Sequence, residues 1–183
     1  TTGLIDGVTT NPTLIRKSGR DPEEVYQELA EEGVRDISME VVGDSETMTS
    51  EGLRLAAKFQ EVATIKVPCS PDGLLTCAHL SRDGIRVNVT LIFDAAQAIL
   101  AAKAGATYVS PFVGRLDDNS VNGLDVIKDI SSIYQTHWIK TQILSASIRG
   151  VKAVSTSFAL GAQVVTMPPS VFEKMYNHVL TDK

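Results

Sequence analysis

The sequence is short of cysteine, histidine, aromatic residues and long apolar runs, and each shortage removes a class of protein. Two cysteines cannot build a disulfide scaffold, and the seven residues between Cys69 and Cys77 fall outside the usual spacing of a structural zinc site. They read as reduced thiols of a cytoplasmic protein. His79, His137 and His178 are scattered and form neither a metal constellation nor a nucleophile triad. No stretch approaches the roughly 18 uncharged apolar residues of a membrane span, and Thr1–Asp6 carry neither a basic start nor an apolar signal core. With 17 Lys and Arg against 22 Asp and Glu, the net charge of −5 argues against a general nucleic-acid binder, while leaving room for a local cationic pocket. No G-x-G-x-x-G follows a strand and no G-x-x-x-x-G-K-[ST] occurs, so nucleotide binding by those modes is not expected. Aromatic residues make up only 5% of the chain, so Trp138 and the others read as packing residues.

What is present is an alternation of short β-type runs and helical runs. The predicted strands are Gly7–Thr10, Asp36–Val41, Thr64–Val67, Arg86–Thr90, Tyr108–Ser110, Thr141–Leu144 and Gln163–Met167. Most are rich in Val, Ile and Thr and several are apolar on both faces, the pattern of a parallel sheet covered by helices. The helices carry start and stop chemistry. Asp21-Pro22 opens one that Gly33 closes, Ser70-Pro71 opens another, Asp94 caps Ala95–Ala104, and Gly161 ends Val151–Leu160. Ser170 and Glu173 form a capping-box pair before the last helix, and Leu124, Ile127, Ile130 and Tyr134 share one helical stripe. No linker divides residues 1–183, which read as a single domain. The unit length of roughly 22–34 residues brackets the ~31 of a TIM (β/α)8 barrel; a doubly wound open sheet is the alternative. Seven βα units are visible where a barrel has eight. The first strand is therefore expected to precede Thr1, with Thr1–Asp6 as the tail of the first helix and its loop.

In such barrels the active site lies at the C-terminal ends of the strands, so polar residues in or just after apolar strands are the candidates. Lys66 sits in Thr64-Ile65-Lys66-Val67-Pro68, where a cation is expensive unless it is paired or gives up its proton. A neutral amine there attacks a carbonyl to form a Schiff base; a lysine that snorkels to water is the bland alternative. Glu40, within Ile37–Val42, is either a proton relay for Lys66 through a water or a structural salt-bridge partner. Asn88 and Thr90 alternate on one strand and so share a face, suited to substrate hydroxyls or a held water, or to backbone groups at a strand end. Asn11, in Thr9-Thr10-Asn11-Pro12, is either presented to a ligand or part of a turn. Ser110-Pro111-Phe112-Val113-Gly114-Arg115 and Ser147-Ile148-Arg149-Gly150 each place a Ser and an Arg near the late loops, where barrels commonly bind phosphate and where an Arg fork suits phosphate oxygens.

Taken together, Gly7–Pro12, Ser38–Val41, Ile65–Pro68, Asn88–Thr90, Ser110–Asp118 and Ala146–Arg149 resemble the transaldolase family, within it the small single-barrel subfamily that includes fructose-6-phosphate aldolase. The resemblance runs in family order over essentially the whole chain. It implies that Lys66 forms a Schiff base with a ketose phosphate and passes a dihydroxyacetone unit to an aldose phosphate, chemistry of the pentose phosphate pathway type. It implies that Glu40 and Thr90 hold a catalytic water, that Asn11, Asn88 and Ser110 bind donor hydroxyls with Phe112 beside them, and that Arg115, Ser147 and Arg149 bind phosphate. No metal or organic cofactor is implied, because the lysine iminium is the electron sink. Transaldolases carry Glu where the aldolases carry Gln, here Glu40, and the aldolases carry Tyr where this chain has Phe112, so transaldolase is favoured. A non-catalytic sugar-phosphate-binding barrel is the alternative of another class. The family's first strand carries an acid/base Asp that would precede Thr1. The resemblance also implies a chain that runs on past Lys183, so that truncation at both ends is expected, and a homo-oligomer, a pentamer or decamer, with no nucleic acid or membrane partner.

Overall fold

The computed structural model describes residues 3–181. They fall into two compact units. The first contains the residues up to Thr90 together with Lys103–Thr107; the second contains Leu91–Ala102 and the residues from Tyr108 onward.

In the first unit, β1 (Gly7–Thr9) leads into α1 (Pro12–Ser18) and α2 (Pro22–Glu31), followed by β2 (Asp36–Glu40), α3 (Ser45–Phe59), β3 (Ala63–Pro68), α4 (Pro71–Arg82) and the start of β4 (Val87–Ile92). Each strand pairs in parallel with the next in chain order. The register fixes two rows across the sheet: Thr9, Ser38 and Thr64 in one, and Glu40, Lys66 and Asn88 in the next. Because alternate residues face opposite ways, Ile37, Met39, Ile65, Val67, Val87 and Val89 make the other face. All six are fully buried, each contributing roughly 1.5–3 kcal/mol of burial free energy.

The helix starts follow the predicted chemistry. Asp21 accepts from the Glu23 and Glu24 amides at 2.9 and 3.2 Å, and Ser70 Oγ accepts from the Gly73 amide at 3.1 Å, satisfying donors that a helix leaves unpaired. Gly73 also lets α4 press onto β3. A Cβ there would lie 1.9 Å from the Pro68 carbonyl oxygen, so the strand end just beyond Lys66 is clamped by backbone.

In the second unit, α5 (Ala95–Lys103), β5 (Tyr108–Pro111), α6 (Val113–Asp117), α7 (Gly123–Thr136), β6 (Gln142–Ser145), α8 (Val151–Ala159), β7 (Val164–Val165) and α9 (Pro169–Lys174) follow. Strands β5, β6 and β7 pair in parallel, and the Phe112 amide donates to Ile92 O at the end of β4. Asp94 Oδ1 accepts from the Gln97 amide at the start of α5. Ile127, Ile130 and Tyr134 form the buried stripe of α7, and Tyr134 Oη donates to Ala98 O at 2.7 Å.

Among the described residues, seven parallel strands alternating with helices make the α/β fold of the barrel class that the sequence predicts. Three local expectations are corrected. Gly3–Asp6 contain no helix tail, and Thr1 lies outside the described residues with Thr2. The Ser170–Glu173 capping box does not form: α9 begins at Pro169 after Pro168, which leaves Ser170 inside the helix and no side-chain cap. Trp138 is not a packing residue: it is 90% exposed. Among the described residues no helix is long and apolar enough to cross a membrane.

Candidate active site

The first unit gathers its candidates around Lys66. The ammonium nitrogen lies on β3 at 6% relative exposure, donating to Glu40 Oε2 at 2.8 Å and to Thr10 O at 2.9 Å. The Glu40 contact is direct, since the two residues are register partners on β2 and β3. A cation so buried is stabilised by one carboxylate and one carbonyl dipole, which offset its lost hydration.

Sequence reasoning did not single out Thr10, because its contribution is a backbone carbonyl. Its position is fixed three ways. The Thr10 amide donates to Ser38 O at 3.1 Å and its hydroxyl donates to the same oxygen at 2.8 Å. With that proton committed, the Thr10 oxygen accepts from the buried Tyr26 hydroxyl of α2, 3.4 Å away. Burial pushes the Tyr26 phenol above its ordinary range, so it stays a donor.

On β4, Asn88 is the register partner of Lys66, and Thr90 that of Pro68. Asn88 Nδ2 donates to Ser38 Oγ at 3.2 Å. The strand alternation could have found Ser38, which lies on the Glu40 face two residues earlier. Thr90 Oγ1 is fully buried with no hydrogen-bond partner among the described residues, a feature that asks for an explanation where buried hydroxyls are normally paired. The next residue, Leu91, has φ of 60°, a strained value for a leucine inside a strand. Asn11 is half-buried, and its carbonyl accepts from the Ile15 amide at the start of α1.

The second unit gathers the remaining candidates. Ser110 is buried in β5. Phe112 caps α6, its ring packed edge-on against Phe93, and the Arg115 guanidinium lies 5.0 Å from the Phe112 ring centre. Ser147, at φ of 59°, accepts the Gly114 amide at 3.0 Å through its carbonyl. Arg149 makes a two-pronged ion pair with Asp118. Both guanidinium groups are exposed, and Arg forks of this kind take carboxylate or phosphate oxygens alike. The candidates thus form two clusters, an amine–carboxylate–hydroxyl cluster in one unit and a paired-arginine cluster in the other. Among the described residues no group of His, Cys, Asp and Glu is arranged to hold a metal ion.

The family described as transaldolase/fructose-6-phosphate aldolase matches residues 1–183. A "Probable transaldolase" of Ruegeria pomeroyi is 52% identical over 182 residues, 99% of this chain and 83% of that protein. Proteins of the same name from Caulobacter sp. and Erythrobacter litoralis are 51% and 54% identical, each alignment spanning 100% of this chain and 84% of the relative. Among solved structures, a doubly substituted flavocytochrome b2 with pyruvate bound superposes with a TM-score of 0.62 over 81% of this chain and 46% of that one. At 14% identity this likeness concerns the fold alone.

Proposed function

The chain belongs to the transaldolase/fructose-6-phosphate aldolase family, and from that premise we propose that it is a transaldolase, moving a dihydroxyacetone unit between sugar phosphates through a Schiff base on Lys66. The observation that carries this reading is the buried Lys66 amine held between Glu40 and Thr10. Before attack the amine gives up a proton, and Glu40 Oε2 is the hydrogen-bonded acceptor. The nitrogen then adds to the carbonyl carbon of the ketose, and loss of water gives the iminium. Cleavage of the bond between the α and β carbons, with the β-hydroxyl proton passing to water, sends its electron pair into the iminium, releasing an aldose phosphate and leaving an enamine on Lys66. The enamine adds to the aldehyde carbon of the acceptor, and water hydrolyses the new iminium to free the amine.

Water therefore leaves and returns. Glu40 moves its protons, and the unpartnered Thr90 hydroxyl is suited to hold it. Asn11, Asn88 and Ser110 are assigned to the donor hydroxyls, and Phe112 to the substrate. The phosphate falls to Arg115, Ser147 and Arg149, on the chemistry of that cluster. Incubation with fructose 6-phosphate followed by borohydride reduction should add the reduced sugar fragment to Lys66, located by peptide mapping. Absence of any addition at Lys66 would end this reading. Release of free dihydroxyacetone without an acceptor would instead mark a fructose-6-phosphate aldolase, a reading that Glu40 and Phe112 disfavour.

A further inference from the structure

The segment from Val113 to Asp118 touches the Arg149 loop at its base, along the arginine stem and at its head. At the base, the Val113 and Gly114 amides donate to Ala146 O and Ser147 O, both at 3.0 Å. Along the stem, a Cβ on Gly114 would lie 3.0 Å from Arg149 Nε and 3.1 Å from its Cγ, as well as 2.1 Å from Ser147 O. Gly114 is not among the glycines with positive φ, so the space it leaves accounts for its identity. At the head, Asp118 Oδ1 and Oδ2 accept from the two terminal nitrogens of Arg149.

We propose that Asp118 is a positioning residue for Arg149, acting with Gly114 to hold the guanidinium in one orientation before substrate arrives. A long arginine side chain at an exposed site otherwise samples many rotamers, and its planar fork binds a phosphate best when that freedom is already removed. Asp118 engages two of the five guanidinium N–H groups, leaving three for a phosphate. The Ser147 carbonyl alone requires glycine at 114, but the arginine stem also packs there, so Arg149 is held along its stem as well as at its head, as a positioned side chain would be.

This inference rests on the reading of Arg149 as a phosphate ligand, and the experiment separates the two. Steady-state kinetics are measured on the full chain with fructose 6-phosphate as donor, an aldose phosphate as acceptor and inorganic phosphate as inhibitor. Because the ion pair is exposed, its removal is bounded near fivefold. Asp118→Asn should raise KM for the phosphorylated substrates and the inhibition constant of phosphate by about three- to fivefold, with kcat changed less than twofold. Asp118→Glu should recover most of that loss. Unchanged or tighter phosphate binding in Asp118→Asn, while Arg149→Ala weakens it, overturns the positioning role alone. Phosphate inhibition that survives intact in Arg149→Ala removes both the underlying assignment and this inference.

Discussion

Glu40 and Lys66 stand opposite each other on neighbouring parallel strands, and their side chains meet at 2.8 Å with exposures of only 14% and 8%. Such a pair is poor evidence for stability, because desolvating both charges can outweigh their attraction. Its placement makes sense if the carboxylate is there to exchange protons with the amine.

Glu40→Gln tests that role most directly. The amide keeps the shape and one acceptor oxygen but cannot take a proton. Removing a general acid/base group lowers turnover by roughly 10²–10⁴-fold. Borohydride trapping on Lys66 should become slower without being abolished. Turnover within threefold of the parent would assign Glu40 to structure alone.

Thr90→Val should separate function from stability. Its hydroxyl is buried without a partner among the described residues, so replacing it by a methyl of similar size removes a polar group that stabilises nothing there. The urea midpoint should hold or rise. If the hydroxyl holds the catalytic water, turnover should fall at least tenfold. A drop of about 0.5–1.5 kcal/mol in stability, the usual value of a satisfied hydrogen bond, would contradict this account.

The strands were legible because runs such as Val87–Val89 and Ile65–Val67 leave little else for the chain to do. Lys66 and Glu40 stood out within them because a charge in a buried strand demands a reason. Thr10 was invisible because any residue offers a carbonyl; only the fold aims this one at Lys66. Helix α6 spans five residues, too few for a helical period to register. The Asp118–Arg149 pair joins residues far apart in the chain, which no local pattern encodes. Ser170 misled because Pro169 supplies a ready first helical position and starts α9 two residues earlier.

Cys77 should give alkaline instability a specific source. Burial pushes its thiol up to about 12, whereas an unfolded thiol ionises near pH ~8.5. Above that lower value the unfolded chain sheds a proton that the folded chain keeps, so stability falls as pH rises, until the folded thiol also ionises. Urea midpoints should therefore decline between about pH 8.5 and 10, below the range where the upward-shifted Tyr134 joins in. Cys77→Ala should start less stable but show a flatter slope over that interval. Equal slopes in parent and variant would remove the thiol as the cause. Peptide mapping after iodoacetamide at neutral pH should leave Cys77 unmodified until urea unfolds the chain.

The Glu40–Lys66 pair also predicts a trade between activity and stability. Removing one partner leaves the other charge buried, at a cost of about 3–5 kcal/mol when nothing else compensates. Lys66 retains the Thr10 carbonyl, so Glu40→Leu should fall toward the lower end of that range. Lys66→Met leaves the carboxylate, and its slightly greater exposure should make it the milder single change. The double variant Lys66→Met/Glu40→Leu removes both charges and fills their space with apolar atoms, a replacement that is often neutral or stabilising by about 1–4 kcal/mol. Chemical denaturation should therefore rank the double variant above both single variants and at or above the parent, while Schiff-base trapping is abolished in it and in Lys66→Met. If the two single losses simply add in the double variant, the two charges are uncoupled, and neither single loss comes from a stranded partner charge.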